Sequence, residues 1–192
     1  MAPTDLLDEV YSSKPRELVE FLRGEVRKNK DMNARFQAMF AERAPQVRRD
    51  EIDRLYEQAA DRHGWLEEFN NIDFDPVTSV AEIMKRRGDY AGAAGVYREL
   101  SDAIADHMDM VDDSDAYYAT TLEIMLEDMT NCVKHKTVSQ DERKKYIEYL
   151  VGRCKKDDPD FFTDYFMESL DSLCTNDEYR RYRDVLLAEA GK

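Results

Sequence analysis

Between Tyr118 and Cys132 the apolar residues return at intervals of four, three, four and three: Tyr118, Leu122, Met125, Met129, Cys132. A helix with about 3.6 residues per turn puts such a series on one face, whereas a strand would scatter it over both. The same period runs through most of the chain. Tyr90, Ala93, Tyr97, Leu100, Ile104 and Met108 follow it, as do Tyr146, Ile147, Leu150, Val151 and Cys154, and no segment alternates as a strand would. A chain so patterned can bury its apolar stripes only by packing helix on helix.

Turn residues mark the helix boundaries. Thr4 caps a first helix to about Tyr11, and Pro15 opens a second carrying Leu18, Phe21, Leu22 and Val26. Asp31 starts a third and Pro45 a fourth, which Gly64 stops. Asp75-Pro76 opens the next, Arg87-Gly88 ends it, and a long helix runs from Asp89 to about Val111. Asp112-Asp113-Ser114-Asp115 caps the helix of the Tyr118 stripe, Ser139 with Glu142 forms a capping box, Asp158-Pro159 opens the penultimate helix and Asn176 caps the last. The expectation is an all-α protein of about nine or ten helices in antiparallel hairpins, stacked as a bundle or a short tetratricopeptide-like superhelix. Residues 1–63 are read as an N-terminal helical layer, 64–75 as a packed connection around Trp65, Leu66, Phe69 and Phe74, and 76–192 as an acidic helical region, together forming one compact unit.

Two resemblances concern the middle of the chain. Gly88-Asp89-Tyr90-Ala91-Gly92-Ala93-Ala94-Gly95-Val96-Tyr97 resembles the centre of a tetratricopeptide repeat, with Ala93 as the small residue at the helix crossing and Tyr97 as its packing partner. From about Met84 to Val133 the chain resembles the helical region that follows the finger in archaeal and bacterial SWIM-type zinc-finger proteins, through Gly88-Asp89-Tyr90, Val96-Tyr97-Arg98-Glu99-Leu100 and Val111-Asp112-Asp113-Ser114-Asp115. The finger's own Cys and His ligands have no counterpart here. The resemblance implies a helical accessory domain that binds protein, and implies no metal role.

The chain offers little chemistry of its own. Cys132, Cys154 and Cys174 are odd in number and fall on apolar faces, which reads as free thiols in the core of a cytoplasmic protein. Cys132 and His135 share a helix face without the paired spacing of a zinc site. The acids from Asp112 to Asp115 resemble a calcium loop, but place Ala116 and Tyr117, or one residue on Tyr117 and Tyr118, where that loop needs an oxygen ligand and a glycine. No nucleophile with its base, phosphate loop or dinucleotide fingerprint is present, so no residue is assigned to catalysis, cofactor or metal. The N-terminus reads as lacking a signal peptide, and no apolar run reaches the ~20 residues of a membrane span.

Charge is the more informative property. The net charge is -14 at neutral pH, which disfavours a general coating of nucleic acid or anionic lipid. Ten acids and no Lys or Arg lie between Glu99 and Asp128, and Glu99, Asp102, Asp106 and Asp109 recur as one helical stripe. This is read as a docking face for a basic protein partner. Arg23, Arg27 and Lys30 form an opposing basic stripe, the basis of an alternative role as a nucleic-acid accessory factor. A pocket assembled from distant residues, serving as a ligand site or an enzyme's, is the remaining alternative. Tyr117, Tyr146 and Tyr149 widen their helices' apolar faces, which leaves room for a wetted groove or self-association into a homo-oligomer.

Overall fold

The computed structural model describes residues 9–40, 47, 49–67, 71–155 and 163–190. Nine helices of eleven residues or more are among them: α1 Pro15–Lys28, α2 Lys30–Phe40, α3 Arg49–Ala59, α4 Asp75–Arg86, α5 Tyr90–His107, α6 Tyr117–Val133, α7 Gln140–Cys154, α8 Thr163–Leu173 and α9 Asn176–Ala190. A 3-10 turn, Met108–Met110, follows α5. The protein is all-α as the periodicity requires, and its only β geometry among the described residues is one parallel bridge between Leu66 and Val111. No helix among these residues is long and apolar enough to cross a membrane. Thr4, Pro45, Phe69, Asp158 and Pro159, which the sequence reading uses as boundaries or packing groups, lie outside the described residues.

The chain divides at Pro45, not after residue 63. The smaller unit, residues 1–45, contains α1 and α2. They are separated by Asn29, whose extended backbone ends α1 and whose side chain accepts the Met32 N–H of the first turn of α2. None of the residues of α1 is buried, and Phe21 remains 63% exposed.

The larger unit, residues 46–192, holds the core. Its helices run alternately up and down. Tyr90 at the start of α5 stacks on His135 just past the end of α6, while His107 at the end of α5 stacks on Tyr56, which also packs against Tyr118 at the start of α6. Arg143 near the start of α7 donates to the carbonyl of Leu173 at the end of α8. Ile52 and Tyr56 of α3 are buried, and this is why α3 belongs to the larger unit: its apolar face is covered by the partners of α5 and α6. The connection before α4 is packed through Leu66, Ile72 and Phe74, but Trp65 is 44% exposed.

Local chemistry explains the joints. Ser139 and Glu142 form the reciprocal capping box that opens α7. At α6 the residue before the helix, Ala116, is left-handed, and Asp113 caps from further back by accepting the N–H groups of Tyr118 and Ala119. The α9 cap falls on Thr175, one residue earlier than the sequence suggests, through its exchange of hydrogen bonds with Glu178. Gly88 turns the chain from α4 into α5 at φ +81, a conformation that costs glycine nothing and an L side chain strain. Tyr146 lies over the small residues of α5, 3.8 Å from where a β-carbon of Gly95 would sit, and donates to Ala91. Tyr117 donates to Ile72 and Tyr149 to Asp102, so all three surplus tyrosines are used inside the unit.

Gly88→Ala is expected to destabilise the protein by about 1 kcal/mol, because Ala must hold φ above zero. Gly152→Ala, in a helical turn with open space around the new β-carbon, is expected to stabilise it by about 0.5 kcal/mol. Urea midpoints of the two variants moving in opposite directions would establish both.

Candidate functional site

The acidic stripe of α5 does not stand free. Asp106 accepts from Arg49 of α3 at 3.0 Å and from Arg153 of α7 at 2.7 Å. Asp102 accepts the Tyr149 hydroxyl at 2.9 Å and lies 3.4 Å from Arg153. Burial pushes the Asp102 carboxyl above the usual carboxylate range, while the Tyr149 hydrogen bond and the Arg153 charge pull the other way. Burial likewise raises the Tyr149 hydroxyl well above its ordinary value. Arg153 is the centre of the cluster: its side chain is 12% exposed, its guanidinium lies over the Phe166 ring, and its Nε is buried with no partner among the described residues. Glu99 pairs with the neighbouring Arg98, and Asp109, in the 3-10 turn, stands exposed at the end of the series. The stripe therefore ties α3, α5 and α7 together with cations of its own chain. Those cations lie 57 and 47 residues from Asp106, beyond the reach of helical spacing.

The basic residues are exposed but do not share one helix. Arg23 and Arg27 lie a turn apart on α1, and Lys30 begins α2 beyond the break at Asn29. The cysteines are all free, and burial pushes each thiol up to about 11, far from the thiolate at neutral pH. His135 stacks on Tyr90 and meets Thr137 through Nδ1. The acids of the 112–115 turn are occupied by N–H groups: Asp112 takes Ser114, Asp113 takes α6, and Asp115 takes Asn71 and Tyr117. No group of three or more His, Cys, Asp or Glu suited to a metal ion occurs among the described residues.

Two clefts flank the C-terminal part of α8. One, of about 250 Å³, is lined by Lys134, His135, Lys136, Gln140, Arg143 and Cys174 among others, but Arg143 is committed to Leu173 and Lys134 to Ser172. The other, of about 180 Å³, lies between α6 and α8. Glu123 and Glu127 stand one turn apart on its α6 side, Tyr165 and Glu168 on its α8 side, with Leu126, Thr130, Ser169 and Ser172 completing it. All three glutamates are exposed, and none meets a Lys or Arg among the described residues. Asp128 differs: it faces Lys85 of α4 at 3.7 Å. Glu123 and Glu127 belong to the lysine-free segment noted in the sequence, but Glu168 is some forty positions on and nothing in the spacing pairs it with them. Comparison of the chain with protein families, with curated proteins and with solved structures finds no match.

Replacing Arg153 by Met, which keeps a stem over Phe166 and removes the charge, is expected to cost about 2 kcal/mol, less than for a fully buried pair because Asp106 is one-third exposed. Asp109→Asn is expected to stay within about 0.5 kcal/mol of the parent. Equal urea midpoints for the two variants would show that the cluster contributes nothing to stability.

Proposed function

We propose that the larger unit is a protein-interaction module, working in the cytoplasm, that captures a basic segment of a partner protein by charge. The whole net charge falls in it: residues 46–192 carry 34 acids against 20 Lys and Arg, whereas residues 1–45 carry eight of each. What carries the reading is the contrast within that unit. Asp102, Asp106 and Asp128 meet internal cations, while Glu123, Glu127 and Glu168 converge on one cleft and pair with no Lys or Arg among the described residues. Converging exposed carboxylates lose little solvation when a cation arrives, and they steer it from a distance. We assign the acidic docking face to Glu123 and Glu127 of α6 and Glu168 of α8, away from the α5 series.

The test is a fluorescein-labelled octalysine peptide titrated with the protein and read by anisotropy. Binding is expected at about 50 mM NaCl and is expected to weaken steeply toward about 300 mM, since exposed charges are screened over a Debye length. Absence of binding at the lower salt would end the proposal. The accessory role in nucleic-acid binding rests on the exposure of Arg23, Arg27 and Lys30 in a unit without net charge. It predicts that a labelled single-stranded oligonucleotide binds at low salt and that reversing these three to Glu removes it.

A further inference from the structure

We infer that the cleft between α6 and α8 is a pocket for one lysine or arginine side chain of the partner's basic segment. This rests on the proposal above and gives it an address. Glu123 and Glu127 line one wall and Glu168 the other. Tyr165 adds an aromatic residue to the lining, which suits the methylene stem of a long cationic side chain better than a hydrated metal ion.

A second observation comes from Ser169. It is only 8% exposed, lines the cleft, and its hydroxyl has no hydrogen-bond partner among the described residues. A hydroxyl that opens on a cleft from an otherwise buried residue accepts readily from an ammonium or guanidinium N–H. The neighbouring hydroxyls are already engaged: Thr130 donates to the carbonyl of Glu127, and Ser172 accepts from Lys134.

Size and polarity agree. The cleft, of about 180 Å³, has room for an extended lysine or arginine side chain. Lys134 stands at the Ser172 end, so its charge repels a cation there and leaves the entry at the end marked by Glu123 and Tyr165.

The experiment compares two paired variants of the full chain. E127Q/E168Q removes two charges from the cleft, and E57Q/D109N removes two exposed charges elsewhere. Gln and Asn at exposed positions preserve the fold, and thermal midpoints within a degree or two of the parent would verify it. With octalysine at about 50 mM NaCl, E127Q/E168Q is expected to weaken binding about tenfold and E57Q/D109N less than about twofold. Ser169→Ala, uncharged before and after, is expected to weaken it about threefold. Equal losses in the two double variants would overturn the pocket and leave charge capture standing. Failure of the parent protein to bind octalysine would overturn the capture reading itself. Spermidine binding more tightly than octalysine would replace the protein segment by a small polyamine and so overturn the identity of the occupant.

Discussion

Asp106 and Arg153 set the arrangement of the larger unit, because Arg153 is nearly withdrawn from water and Asp106 is the carboxylate that meets it most closely. A guanidinium with 12% of its side chain exposed is stable only where carboxylates meet it, and Asp102 and Asp106 are the carboxylates in place. Arg49 reaches the same Asp106 from α3. Three helices distant in sequence are thereby held in one register by a polar junction that a slip of a single turn would break. Apolar packing around it is less selective: Leu100, Ile104 and Leu150 are all buried, but one aliphatic contact resembles another. The polar junction supplies specificity and the apolar core most of the stabilisation.

That junction also determines where charge remains available. Neutralising the inner acids of α5 takes them out of the long-range field, since a carboxylate between two arginines presents no net attraction to a distant cation. The unit's negative charge is then expressed where its own arginines and lysines do not reach. On α6 the division runs between adjacent residues: Asp128 turns toward Lys85, and Glu127 turns toward α8. A helix that contributes one face to the core and one to a neighbour's cleft separates such residues by rotation of about 100°.

The elements that sequence discloses and those that it hides differ in range. The Ser139 and Glu142 box, the proline opening α4, the glycine before Asp89 and the buried stripe from Tyr118 to Cys132 are all local, set by residues within a turn or two of each other. They were legible for that reason. The cap of α6 by Asp113, reaching past a left-handed Ala116, was legible as a cap but not in its geometry. Spacing alone shows Asp102 and Asp106 on one face, and it cannot show that Tyr149 and Arg153, also one turn apart on a distant helix, face them. The cleft is further from reach, since Glu168 joins Glu123 and Glu127 only through the packing of α8 on α6.

An uncompensated cleft carries a cost that the proposed binding would return. Glu123 and Glu127 are like charges at i and i+4, which opposes α6 by about 0.2–0.5 kcal/mol, and Glu168 adds repulsion from the facing helix. A cation seated among the three removes that repulsion as well as making its own contacts. Binding there would therefore be linked to the docking of α8 on α6: whatever favoured the occupied cleft would also favour the closed helix pair. High salt acts on both at once, relieving the repulsion in the empty cleft while weakening the attraction for its occupant. The empty protein then gains a little stability from salt as the complex loses affinity, a pairing of opposite signs that an ion-paired surface such as the Asp106 junction does not produce.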